Sequence, residues 1–188
     1  MKVLILDASP SPDHAAARAA GALEHAFHEC GSTVDRVRLA ALDIAPCNGC
    51  FGCWTTRPGE CLVADDARGL AAKVVAADGV AVAGPVEFGA WGSLAKSALD
   101  RLICIILPHF TTIDGEMHHQ RRYERYPRWI ALGTLPAPSP GAEAIFRRVI
   151  DRNAINLHAP AHATGILVGE AGAGPLAGEL VAAIGEAV

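Results

Sequence analysis

The sequence predicts an α/β protein in which a parallel sheet of five strands is covered by helices on both faces. Two patterns carry that expectation. Short unbroken apolar runs, such as residues 3–6 and 79–84, read as strands buried on both faces. Alanine-rich stretches with apolar residues at helical spacing lie between such runs, and strand and helix alternate five times. Crossovers in such a sheet are right-handed, and ligands sit beyond the C-terminal strand ends at the topological switch point. At 188 residues the chain reads as one domain, residues 1–188, with an insert at about 107–127.

The first strand ends at Asp7, and a turn-rich loop follows: Ser9, Pro10, Ser11, Pro12 and Asp13. A helix over 15–30 carries Leu23, Ala26 and Phe27 at helical spacing and stops at Gly31. Residues 33–39 alternate around Val34 and Val37 and read as the second strand. After a cysteine-rich stretch, Asp65 and Asp66 open a helix to about residue 77, their charges suiting its positive end. Residues 79–84 are the third strand, ended by Pro85. A helix over 91–106 carries Lys96, Asp100 and Arg101. The insert is dense in His, Arg and Tyr. The fourth strand lies within 128–135. A helix over 141–157 places Ile145, Val149 and Ile150 on one face. The fifth strand is 164–168, and a last helix spans 175–188. The glycine run from Gly169 to Gly174 follows the fifth strand, whereas a dinucleotide fingerprint follows the first.

Composition removes several classes of function. Half the residues are apolar and 19% are charged, which excludes a disordered chain. A net charge of −4 gives no electrostatic footprint for nucleic acid. No apolar stretch reaches the length of a membrane span, and the N-terminal run is too short for a signal peptide. The expected location is therefore cytoplasmic. In that reducing compartment cysteines serve metal or redox chemistry rather than a disulfide scaffold.

Four of the six cysteines fall within fifteen residues. Cys47, Cys50, Cys53 and Cys61 are spaced C-x2-C-x2-C-x7-C, while Cys30 and Cys104 lie far off in apolar sequence. Three readings compete. The loop binds no stable metal and is packed, shielded by Phe51 and Trp54. Or the four thiolates hold a [4Fe–4S] cluster, since C-x2-C-x2-C puts three on one tight turn and Pro58-Gly59 folds the chain back to deliver the fourth. Or they hold zinc, although structural zinc prefers two separate C-x2-C knuckles. In the insert, His109, Glu116, His118 and His119 are candidate metal ligands. Adjacent histidines on a strand point to opposite sides, however. An interface or substrate-covering flap, rich in Arg and Tyr, is the favoured reading there.

Together these stretches resemble the flavodoxin-like NAD(P)H-dependent FMN reductases, in the branch that includes the iron–sulfur flavoproteins. Ser9-Pro10 after the first strand looks like that family's phosphate loop. Pro85-Val86-Glu87-Phe88-Gly89, followed by Lys96 and Asp100-Arg101, looks like its flavin-ring loop and next helix. Cys47-Asn48-Gly49-Cys50, Cys53 and Pro58-Gly59-Glu60-Cys61 ahead of Asp65-Asp66 look like its cysteine motif. The resemblance covers about the first two thirds of the chain. It implies strand order 2-1-3-4-5, FMN, and a homodimer or homotetramer.

The chain departs from the family's pattern at two places. After Ser-Pro the family has Arg, then Asn and Ser or Thr at the helix start; here stand Ser11, Ala15 and Ala16. Asp13 would repel a phosphate, and His14 or Arg18 is placed to compensate. Glu87 stands where the family has Tyr, and a carboxylate against the ring disfavours an anionic reduced flavin.

The resemblance thus implies an oxidoreductase. Ser9, Pro10 and Ser11 would hold the FMN phosphate. Pro85, Val86, Glu87, Phe88 and Gly89 would face the ring. Hydride would pass from NAD(P)H to FMN, and electrons onward to a small-molecule or protein acceptor. No side-chain acid or base is required, so no catalytic residue is expected. An electron carrier using the four thiols is one alternative. A metal- or redox-sensing module with a decayed flavin site is another.

Overall fold

The computed structural model describes residues 1–169 and 171–185. Its elements in order are β1 (Lys2–Asp7), α1 (Ala15–Glu29), β2 (Thr33–Arg38), α2 (Gly52–Thr55), α3 (Asp66–Ala76), β3 (Gly79–Glu87), β4 (Ala90–Trp91), α4 (Ser93–Asp100), β5 (Ile106–Ile113), β6 (Glu116–Arg121), β7 (Arg128–Leu135), α5 (Pro140–Asn156), β8 (His162–Val168) and α6 (Ala173–Gly185). The last three residues of the expected final helix, and Glu170 of the glycine run, lie outside the described residues.

Five parallel strands form the sheet in the order β2-β1-β3-β7-β8. Counted as parallel strands this is 2-1-3-4-5, the flavodoxin-like order. β1 and β3 are the first pair across the switch, so the loops after them lie side by side at the C-terminal end.

The period of two in each strand divides the apolar residues between the faces. Val3, Ile5, Ala81, Ala83, Ile130 and Leu132 pack with α1 and α6. Leu4, Leu6, Val80, Val82, Trp129 and Ala131 pack against the other face. The first group meets Ala16, Ala19, Ala20, Leu23 and Phe27, spaced three or four apart on α1, all buried. Small residues there let helix and sheet approach closely. On α5 the buried residues are Phe146, Ile150 and Ala154. Ile145, expected on the same face, is exposed, because the 3.6-residue period turns it a full step away from Phe146.

Two local expectations, at the end of one helix and at Cys30, are corrected, and the insert takes a definite form. The helix expected over 91–106 ends at Asp100, and a tight 3-10 turn over Arg101–Ile105 leads into β5. The insert is a β-hairpin, β5 with β6, turning at Asp114 and Gly115 with φ of 51° and 83°. Asp-Gly at a two-residue turn is the strongest short hairpin signal, and it stands in the sequence. Cys30 is not in apolar surroundings: it caps the end of α1 and is exposed.

Candidate flavin and cysteine site

Asp7 closes β1 at the C-terminal edge with no exposed surface. Its Oδ1 accepts the Ser9 N–H at 3.0 Å, and its Oδ2 accepts from Arg36 at 2.7 Å. That holds the next loop in a tight turn. Ser9 is buried, and its hydroxyl has no hydrogen-bond partner among the described residues. A buried hydroxyl without a partner costs about 1–3 kcal/mol, so the site is suited to an arriving acceptor such as a phosphate oxygen. Pro10 and Ser11 are exposed beside it. His14 is the N-cap of α1, its Nδ1 accepting the Ala16 N–H at 3.1 Å. Arg18 donates to the Asp13 carbonyl at 3.1 Å. Both side chains offered above as phosphate partners thus have local tasks at the helix start.

The loop after β3 is tighter than the sequence suggested. β3 continues through Pro85 and Val86 to Glu87, then reverses into β4, pairing Val86 with Trp91 and Glu87 with Ala90. Phe88 and Gly89 form the two-residue turn with φ of 53° and 78°, the signature of a type I′ hairpin. Gly89 is required on a second count: a methyl group there would lie 2.7 Å from Ile145 of α5. Phe88 is fully exposed, while Val86 is buried. A methyl group at Gly92 would sit 3.0 Å from Glu87 Oε1, so this carboxylate lies over the residue that caps α4. The positive helix end is a favourable place for its charge. In this chain Glu87 is drawn toward α4 rather than standing alone on the loop.

The cysteine stretch folds beside α4. Arg101 fixes it at both ends. This residue is 2% exposed and donates to the Ala45 carbonyl at 2.7 Å, before the cysteines. It also meets both oxygens of Asp65 after them, at 2.6 and 2.8 Å. Asp65 in turn caps α3 through the Ala67 N–H and accepts the Ala45 N–H. The Arg101 hydrogen bonds hold the Asp65 carboxyl below the usual carboxylate range. Trp54 adds a second anchor, its ring N–H reaching the Ile106 carbonyl at 2.9 Å. Its ring lies 5.2 Å from that of His119 on the hairpin. Gly59, with φ of 89°, lies under the Tyr123 hydroxyl. The insert therefore covers the cysteine loop of its own chain.

Cys47 and Cys50 are exposed, Cys61 is half-buried and Cys53 is buried. Burial, and after it the neighbouring Cys61, pushes the Cys53 thiol up. Cys104 joins them. It lies 43 residues beyond Cys61 in the chain, but its thiol is close enough to feel the charges of Cys53 and Cys61, and burial pushes it up to about 11. Sequence spacing gave no hint of this fifth thiol. Among the described residues no three His, Cys, Asp or Glu side chains converge as a metal-binding group. The donor chemistry suits iron–sulfur, but the arrangement does not present a formed cage. The histidines of the insert separate as strand alternation requires: His118 is buried, His119 lies tilted against the rings of Trp54 and Phe110, and His109 is exposed.

Between the cysteine loop, α4 and α5 lies a cavity of about 560 Å³. Ala90 and Trp91, directly after the Phe88-Gly89 turn, form one part of its wall. Cys47, Cys50, Cys53 and Cys61 form another, and Trp129 and Asn153 line it from the sheet and α5. The loop after β3 and the cysteine stretch, 24 residues apart between Cys61 and Pro85, thus border one space. Trp91, Trp129 and Asn153 were not singled out by sequence reasoning. A Trp at the start of a buried strand looks like core in any sequence.

The strand order, the empty-handed Ser9 hydroxyl at the switch point and the exposed type I′ turn define a flavodoxin-like protein. The model of the NADPH-dependent FMN reductase family matches residues 1–123, and the chain belongs to that family. An iron-sulfur flavoprotein of Methanosarcina thermophila is 29% identical over 110 residues, 58% of this chain and 56% of the relative. Another, of Methanocaldococcus jannaschii, is 31% identical over 101 residues, 54% and 51% of the two chains. The chain spans about half the length of the curated relatives it matches. Among solved structures, an NAD(P)H:quinone oxidoreductase of Methanothermobacter marburgensis covers 100% of this chain and 95% of its own, with TM-score 0.68 and 17% identity. An FMN-dependent NADH-azoreductase of Bacillus anthracis, in complex with FMN, covers 100% and 96% with TM-score 0.64 and 12% identity. At these identities the two structures show a shared fold. No helix among the described residues is long and apolar enough to cross a membrane.

Proposed function

We propose that the protein binds FMN at the loops after β1 and β3 and oxidises NAD(P)H, passing the electrons to a small acceptor or a partner protein. Bound FMN would supply the two-electron chemistry. The residues of this chain would bind and orient it. Ser9 would donate its hydroxyl to the phosphate, beside Pro10 and Ser11. Pro85 to Gly89 would present backbone and the Phe88 ring to the isoalloxazine. Trp91 and the apolar cavity wall would exclude water, and Glu87, drawn toward the start of α4, would keep its charge off the ring. No side chain is assigned as acid or base. A homodimer or homotetramer in the cytoplasm completes the reading.

The observation that carries it is the unpartnered Ser9 hydroxyl, buried at the switch point next to a tight turn that exposes Phe88. A second reading is favoured by the shared wall of the cavity: an electron carrier in which Cys47, Cys50, Cys53 and Cys61 hold a cluster close to the flavin. Two relatives carry the name iron-sulfur flavoprotein.

The test is the visible spectrum of protein purified without oxygen, with iron and acid-labile sulfide assayed on the same sample. A two-band flavin spectrum without iron, bleached by NADPH or NADH, is the expected result. Flavin with a broad iron–sulfur absorbance, lost in Cys50→Ala, selects the carrier. A protein that stays colourless after reconstitution with FMN, iron and sulfide would falsify both readings.

A further inference from the structure

The other end of the sheet, where the strands begin, holds a second cavity of about 630 Å³. Strand β7 runs from Arg128 to Leu135, so this cavity lies roughly 25 Å from the flavin loops at about 3.3 Å per residue. Its walls come from Asp78 just before β3, Arg128 at the start of β7, His158 after α5, and the returning arm of the insert with Arg121 and Arg125. Three arginines thus meet at one place in a chain of net charge −4.

Their partners are unequal. Arg125 pairs with Asp78 at 3.1 Å. The Arg128 Nε is buried and has no hydrogen-bond partner among the described residues. No carboxylate of the described residues pairs with Arg121 or Arg128. Three carboxylates, Asp78, Asp114 and Glu124, line the same wall. Asp78 is held low, first by the Lys2 N–H at 2.8 Å and also by Arg125, so its charge is already answered. Asp114 and Glu124 are exposed, as are Arg121 and Arg125, so solvent and salt screen both signs there, and Arg128 is the half-buried charge of the wall. His162 is engaged with Asp151 at 3.1 Å. The His158 Nε2–H donates to the His119 carbonyl at 2.7 Å, and burial pulls its pKa down.

A guanidinium is a planar fork matched to phosphate and carboxylate, and a buried N–H without an acceptor is costly. We infer that this cavity is a binding site for a small molecule bearing an oxyanion, a phosphate or a carboxylate, held by Arg121 and Arg128 with Arg125 beside them. The site is separate from the flavin loops and does not depend on them.

Calorimetric titration tests it, on protein kept in saturating FMN so that the Ser9 loop does not take the probe. The probes are inorganic phosphate, pyrophosphate and citrate, at low salt and at 150 mM salt. Expected is one saturable site for at least one probe, weakened at least tenfold by Arg121→Gln and by Arg128→Gln. The contrast of pyrophosphate with citrate tells phosphate from carboxylate. Lys73→Gln, on α3 and outside the cavity, leaves binding unchanged. Arg121 is exposed, so its variant folds even if loss of Arg128 loosens β7; circular dichroism checks both. No saturable binding, binding indifferent to both arginines, or heat that vanishes at 150 mM salt overturns the proposal, the last as an adventitious ion only.

Discussion

The two faces of the sheet are built from alternate residues of the same strands, yet they are finished differently. The face under α1 and α6 is closed with alanines, Leu23, Phe27 and Ile184, all buried. Helix lies directly on sheet, and Arg36 bridges α1 to Asp7 at its edge. The face under α3, α4 and α5 is finished with a loop, a hairpin and a short helix, and it keeps a cavity. Helix packing there is supplemented by polar contacts. The Arg101–Asp65 pair, the Trp54 N–H and the backbone of the cysteine loop hold the cover in place. A closed face resists loss by apolar area. The covered face has an apolar core of its own and adds to it a few hydrogen bonds that hold the loop.

That contrast breaks most readily at Arg101. Its charge is buried with Asp65, and removing one partner of a buried pair costs about 3–5 kcal/mol. Arg101→Ala should lower stability in urea by about that amount. It should also speed alkylation of Cys53, since the cysteine loop loses its clamp. Leu23→Ala, on the closed face, should cost about 2–5 kcal/mol by leaving a cavity. It should leave thiol reactivity, read by mass spectrometry of alkylated peptides, unchanged. Equal reactivity in the two variants would remove the distinction between the faces.

Acid sharpens the comparison with a smaller effect. Asp65 is held below its unfolded value of about 3.9 by Arg101. Its contribution is therefore fully present above that value and is lost as pH falls through the lower folded value. Wild-type stability should fall with acid below about pH 4. In Asp65→Asn the whole curve sits lower and its acid slope is shallower. A parallel slope in the variant would show that other carboxylates, Asp78 among them, set the acid limit.

The architecture was legible because it rests on local rules. Apolar runs at residues 3–6 and 79–84, Gly31 after the first helix and Asp65 before the third each fix an element from within a few residues. The strand order followed once the resemblance was stated. The site was legible only where it is local. Ser9 and Glu87 to Gly89 could be placed in their loops from sequence, but the buried, unpartnered state of Ser9 depends on Asp7 and Arg36, which are 29 residues apart. Glu87 could be read as a charge on the ring loop, but its position over Gly92 depends on the type I′ turn. Cys104 was set apart from the other thiols because spacing measures distance along the chain. The fold brings it back through the turn over Arg101–Ile105, which a helical reading of 91–106 had straightened.

Phe88 offers the smallest effect on stability and the sharpest on function. It holds a left-handed backbone at φ 53°, a conformation costing a residue with a Cβ about 1–2 kcal/mol. Its ring is wholly exposed, so it returns no burial within the chain. Glycine at this position removes the strain but adds freedom to the unfolded chain, about 0.5–1 kcal/mol in the opposite sense. Phe88→Gly should therefore change urea stability by less than about 1 kcal/mol, and not clearly downward. If the ring meets FMN or the acceptor, the same variant should weaken FMN binding or slow NAD(P)H oxidation severalfold. Loss of stability without loss of either would assign the ring to the fold and withdraw it from the site.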